Sequence, residues 1–192
     1  MIRIAVLGTI GSGKSFFAKQ FKIPLFCADE VVQNLYRKNK TLFVKLKKSF
    51  PKDLDNFPIK KLQLINIINK NSNNLKKITK IVHPIVRKEM QLFLKENQRK
   101  KAKAVVLDIP LFLENKLDYK TDILVFIDPD KKKAILRLKK RTNFNKKNFI
   151  LLKSLQMPLG IKKNRADFVV KNNFNSAKIR KEAKILLNQI II

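Results

Sequence analysis

Residues 2–7, Ile-Arg-Ile-Ala-Val-Leu, form a largely apolar run that leads directly into Gly8-Thr9-Ile10-Gly11-Ser12-Gly13-Lys14-Ser15. A strand-length segment followed by G-x-x-x-x-G-K-S has the spacing of a phosphate-binding loop. The pattern constrains the fold because it works only between a strand and a helix. Glycines let the backbone turn tightly and bring several N–H donors onto a polyphosphate. The next helix points its partially positive N-terminus at the same anion. Ser15 to Phe21 is compatible with that helix. Lys14 adds a mobile charge for the β- and γ-phosphates, and Ser15 offers a hydroxyl to Mg²⁺. The plainer alternative is a glycine-rich turn that binds nothing. The strand before the loop and the helix after it weigh against that alternative.

The rest of the chain repeats the strand–helix alternation. Ile23–Cys27 reads as a short second strand, and Ala104–Leu107 and Ile123–Ile127 as a third and fourth, ending at Asp108 and Asp128. Phe168–Val170 is a short fifth strand, and Ile179, Ala183, Leu186 and Ile190 stripe a final helix. Residues 30–37 and 131–141 read as helices. Residues 40–81 read as lysine-rich helices, interrupted at Phe50-Pro51, Phe57-Pro58 and the Asn71–Asn74 cluster. His83-Pro84 predicts a helix start, since proline suits the first helical position. Residues 142–148 read as a polar break, with 149–157 helical again. Such alternation predicts an α/β fold with a parallel sheet and helices on both faces. Ligands then bind outside the carboxyl ends of the strands.

The chain has 192 residues, enough for one domain with a core and an inserted helical lobe at about 30–100. No apolar run approaches the roughly 18 residues of a membrane span, and no signal-peptide pattern precedes the loop. One cysteine, Cys27, excludes an internal disulfide and fits a reducing cytoplasm. One histidine and one cysteine argue against a zinc site. The net charge of +30 comes from 44 basic and 14 acidic residues. Nucleic-acid binding is one reading of it. The basic residues are spread along the chain, Asn and Ile are abundant, and no RNA-binding signature appears, so a bias toward A/T-rich codons explains the charge better.

The ordered motifs resemble the dephospho-CoA kinase family over almost the whole chain. They are V-L-G-T-I-G-S-G-K-S at 6–15, A-D at 28–29, H-P-I-V-R at 83–87 and L-D-I-P-L-F-L-E at 107–114. Arg137, Arg141, Gln156 and A-D-F-V-V-K-N at 166–172 continue the match. The resemblance implies a three-layer P-loop NTPase fold in a single domain over 1–192, with a helical coenzyme-binding insertion at about 30–100 and a lid at about 137–163. It implies transfer of the ATP γ-phosphoryl to the ribose 3′-hydroxyl of dephospho-CoA, with Mg²⁺, in the cytoplasm. No specific nucleic-acid partner is expected, and the oligomeric state stays open.

The same resemblance distributes the roles. Gly8, Thr9, Ile10, Gly11, Ser12, Gly13, Lys14, Ser15, Phe16 and Arg137 hold the nucleotide. Asp29 is the base that orients the acceptor hydroxyl, and Lys14 and Arg141 stabilise the transferring phosphoryl. Ser15 and Asp108 take the metal, and His83, Arg87, Asp108, Pro110 and Glu114 face the coenzyme. Local alternatives remain. Asp29 also suits the N-cap of a helix beginning at Glu30. Asp128 rivals Asp108 by position, although it also suits the cap of the helix at 130–141. Arg137 and Arg141, four apart, also fit a solvated basic face. His83 reads more simply as a helix start than as a base. Departures from the family pattern fall at Thr9, Cys27, Gln33, Thr142, Leu159 and the Leu-Phe-Leu order at 111–113. The rival functions are another small-molecule P-loop kinase, a basic nucleic-acid-binding P-loop protein, and a nucleotide binder without turnover.

Overall fold

The computed structural model describes residues 1–140 and 146–191. In chain order these form β1 (Ile2–Gly8), α1 (Lys14–Gln20), β2 (Leu25–Cys27), α2 (Ala28–Lys38), α3 (Lys40–Ser49), α4 (Lys61–Lys70) and α5 (Asn73–Arg99). They continue with β3 (Ala104–Asp108), β4 (Ile123–Pro129), α6 (Lys131–Lys139), α7 (Lys146–Ser154), α8 (Leu159–Asn164), β5 (Phe168–Asn172) and α9 (Ser176–Ile191). Two compact units result. One is Met1–Cys27 with the chain from Asn97 onward, and the other is Ala28–Glu96.

The first unit carries a wholly parallel sheet in the order β2-β3-β1-β4-β5. Parallel neighbours need long crossovers, which the intervening helices supply. β1 lies between β3 and β4, with Ile4 opposite Val106 on one side and Ile123 on the other. The central strands are buried on both faces, which accounts for their near-continuous apolar runs. Ile4, Val6, Val106, Val125 and Ile127 pack with Phe17 and Phe21 of α1 and with Ile179, Ala183 and Leu186 of α9. Ala5, Leu7, Leu107 and Phe126, the alternate positions, are buried on the opposite face.

At the N-terminal edge of the sheet, Arg3 pairs with Asp122 at 3.0 Å and donates to the Leu117 carbonyl at 3.1 Å. Its guanidinium also lies 4.1 Å from the centre of the Tyr119 ring. The strands being parallel, their C-terminal ends share the other edge. Gly8, Cys27, Asp108, Pro129 and Asn172 end there.

The second unit is helical. Leu35, Leu42, Leu46, Leu54, Leu64, Ile67, Ile78 and Val82 form its core. Asn39 caps α3 by accepting from Leu42 N–H at 2.8 Å. Asn74 of α5 donates to the Ile67 carbonyl at 2.8 Å, tying two helices across the predicted break. One expectation fails here. Pro84 lies inside α5 and does not start a helix. Ile78 and Val82 before it and Met90 after it are all buried on a continuous stripe, and that packing outweighs the one hydrogen bond proline forgoes. α7 likewise begins at Lys146, within the predicted polar break.

Candidate active site

The loop from Gly8 to Ser15 leaves the C-terminal end of β1 and enters α1, as the sequence pattern requires. Gly8 has φ +149°, and a Cβ there would lie 2.7 Å from Ser12 Oγ and 2.9 Å from the Ile127 carbonyl oxygen. Only glycine fits so close a passage. Lys14 turns back over the loop and donates from Nζ to the carbonyls of Gly8 at 3.2 Å and Thr9 at 2.9 Å. The Ser12 N–H donates to Thr9 O at 3.2 Å, closing the turn. Ser12 Oγ is buried with no hydrogen-bond partner among the described residues. Ser15 is exposed on the first turn of α1. Phe16 is also exposed, and the next residue, Phe17, enters the core.

Asp108 ends β3 in register with Cys27 at the end of β2. The carboxylate is buried, and Cys27 Sγ donates to its Oδ2 at 3.7 Å. Ser15 and Asp108 are both oxygen donors, the set a hard cation such as Mg²⁺ takes. The glycine cradle and the Lys14 ammonium fit a polyphosphate.

Asp128, the rival of Asp108, is paired with Lys163 at 2.9 Å. It does not cap α6. Asp130 does, accepting from Lys133 N–H at 3.1 Å, because α6 begins at Lys131 and the capping position is the residue immediately before the helix. Asp29 does not precede its helix either. α2 begins at Ala28, so Asp29 sits exposed in the first turn, two residues beyond β2, where a carboxylate suits the helix dipole.

Pro110 is exposed two residues beyond the end of β3, and Leu111 after it adopts φ +57°. A leucine in this left-handed region is strained. Glu114 is drawn to α8. It accepts from Met157 N–H at 2.8 Å and from Lys162 Nζ at 2.6 Å. Burial works against ionisation of Glu114, but the Lys162 ammonium and the Met157 N–H outweigh it and hold the carboxyl below its usual range. Lys162, itself buried, was not singled out in the sequence.

In the helical unit, His83 and Arg87 line an open groove of about 540 Å³ along α5 with Lys76, Lys80, Lys88 and Gln91. Partial burial and the neighbouring Arg87 charge lower the His83 pKa from its usual value. The groove's positive charge at neutral pH therefore comes from its lysines and arginine. Arg137 on α6 is exposed, with its guanidinium 5.0 Å from the centre of the Phe174 ring. Arg141 and Thr142 lie outside the described residues. Two further residues at the loop, Asn172 and Phe174, were not assigned roles from the sequence. Asn172 Nδ2 donates to the Ser12 carbonyl at 2.8 Å, across a separation that no local pattern reveals.

Comparison with known proteins adds the chemistry. A family model described as dephospho-CoA kinase matches residues 2–178. The dephospho-CoA kinase of Wolbachia sp. subsp. Brugia malayi (strain TRS) is 30% identical over 190 residues, covering 97% of each chain. That of Bartonella quintana (strain Toulouse) is 33% identical over 170 residues, covering 87% of each. The crystal structure of TT1252 from Thermus thermophilus superposes with a TM-score of 0.75 at 26% identity, covering 98% of this chain and 97% of that one.

Proposed function

This chain belongs to the dephospho-CoA kinase family, and from that premise we propose how its residues divide the reaction. The enzyme is a kinase that moves the γ-phosphoryl of ATP to the ribose 3′-hydroxyl of dephospho-CoA. The bond from the γ-phosphorus to the β,γ-bridging oxygen breaks, and a bond from phosphorus to the 3′-oxygen forms. The hydroxyl proton passes to Asp29, and ADP and coenzyme A leave. A sugar hydroxyl is a weak nucleophile, so a carboxylate that orients it and takes its proton lowers the barrier. The folded loop Gly8–Ser15 at the C-terminal edge of the sheet is the observation that carries this reading.

In this scheme the loop N–H groups and Lys14 bind the phosphates. Lys14 and Arg141 offset the charge that spreads over the transferring group. Ser15 and Asp108 would hold Mg²⁺, which when bound neutralises phosphate charge. The stacked Arg137 and Phe174 border the nucleotide side. His83, Arg87 and the neighbouring lysines of the α5 groove serve the coenzyme; the family resemblance assigns Pro110 and Glu114 to it as well. No helix among the described residues is long and apolar enough to cross a membrane, and a cytoplasmic enzyme fits the single cysteine. The acceptor is tested by ADP release with ATP and Mg²⁺. Dephospho-CoA is compared with AMP, adenosine, shikimate and short RNA, and the product is weighed. Turnover selective for dephospho-CoA with a product of coenzyme A mass is expected, and selective turnover of another acceptor would refute the assignment.

A further inference from the structure

We propose that Asn172 is a positioning residue for the phosphate loop, aiming the Gly13 N–H at the bound nucleotide by holding the opposite end of the same peptide. Asn172 is the last residue of β5 and is 3% exposed. Both ends of its side-chain amide are engaged. Nδ2 donates to the Ser12 carbonyl at 2.8 Å, and Oδ1 accepts from the Phe174 N–H at 2.7 Å. That pairing settles which end is nitrogen, since only an NH₂ can face a carbonyl and only an oxygen can face an N–H. The backbone of Asn172 is fixed as well, its carbonyl accepting from Asp130 N–H at 2.9 Å.

The consequence follows from the peptide group. It is planar and trans, so its C=O and N–H point in opposite directions. A Ser12 carbonyl drawn toward Asn172 turns the Gly13 N–H to the other side of the loop. Gly13 is also the N-cap of α1, so this donor stands at the positive end of the helix. The fit is mutual. Gly13 has φ +89°, and a Cβ there would lie 2.5 Å from Asn172 Nδ2. The glycine the loop motif demands is thus also the residue that leaves room for the asparagine. An unfixed Ser12–Gly13 peptide could rotate and present a carbonyl where the phosphate needs a donor. The sheet thereby preorganises a loop whose glycines would otherwise leave it free to change shape.

The inference rests on the reading of Gly8–Ser15 as a phosphate cradle, and the test separates the two. ADP affinity is measured without any acceptor for the wild type, Asn172→Ala and Asn172→Asp, each below its melting temperature. Loss of the donor in Asn172→Ala is expected to weaken ADP binding about tenfold. Asn172→Asp keeps the shape and the acceptor for Phe174 but sets an oxygen against the Ser12 carbonyl, so it is expected to weaken binding about a hundredfold. In turnover assays the KM for ATP rises and the KM for dephospho-CoA does not. In the wild type, the Gly13 amide proton moves strongly downfield when ADP binds, a readout that needs no variant to fold. Variants that bind ADP as the wild type does, or a Gly13 amide that ADP leaves unmoved, would overturn the positioning role. A wild type that binds no ADP would overturn the phosphate-loop reading with it.

Discussion

The two edges of the sheet carry different arrangements of charge. At the N-terminal edge, Arg3 engages Asp122, the Leu117 carbonyl and the Tyr119 ring, while its Nε and Asp122 Oδ1 are buried without hydrogen-bond partners among the described residues. Burial raises the Asp122 pKa against the pull of the Tyr119 N–H and Arg3, as expected for a pair removed from water. At the C-terminal edge, Lys14 rests on two carbonyls, Ser15 is exposed, and Ser12 Oγ is buried without a partner among the described residues. On the proposed function, the first edge serves stability and the second receives the nucleotide. Substitutions at the two edges should therefore separate stability from turnover.

The largest effect is expected at Lys14. Lys14→Ala should reduce kcat by about 10³-fold, since a preorganised charge at the phosphoryl group is lost, while the melting temperature stays near that of the wild type. Steady-state kinetics paired with calorimetry check both halves, and a melting temperature that collapses with activity would erase the contrast. Asp29→Asn comes next. It should lower kcat by about 10²-fold or more with folding intact, and an unchanged kcat would remove Asp29 from the chemistry.

Arg3→Ala should do the reverse. Breaking a buried pair by removing one partner costs about 3–5 kcal/mol, so denaturant midpoints should fall sharply while kcat of the folded enzyme holds. A smaller effect belongs to Glu114. Its carboxyl titrates below its usual value in the folded chain, so the unfolded chain binds its proton more readily. The stability it contributes is present above the unfolded carboxylate pKa and lost as pH falls through the folded one. Glu114→Gln should therefore lower stability most at neutral pH, where the wild type has this contribution, and least in acid, where it has already lost it, so the acid limb of the stability–pH curve flattens. A curve parallel to the wild type would remove Glu114 from that limb.

Much of this arrangement is legible in the sequence because it is local. Five apolar runs mark the five strands, and the glycine spacing marks the loop. The ordered motifs also mark the family. The reading fails where distant packing overrides a neighbour rule. Pro84 looks like a helix start, yet a buried stripe carries α5 through it. Lys146 begins α7 without an apolar pattern to announce it. Asp130 takes the cap that Asp128 was expected to provide, a matter of two residues in register. Asn172 and Ser12 meet only because β5 and β1 flank β4 in the folded sheet. Phe174 has φ +64°, a backbone state that sequence rules assign to glycine.

Amide hydrogen exchange with and without Mg·ATP tests the contrast between the two edges most directly. The account predicts new protection at Gly8–Ser15 and at residues 172–174, with the Arg3–Asp122 edge unchanged. Protection centred on the Arg3–Asp122 edge, or none at Gly8–Ser15 under saturating nucleotide, would contradict it.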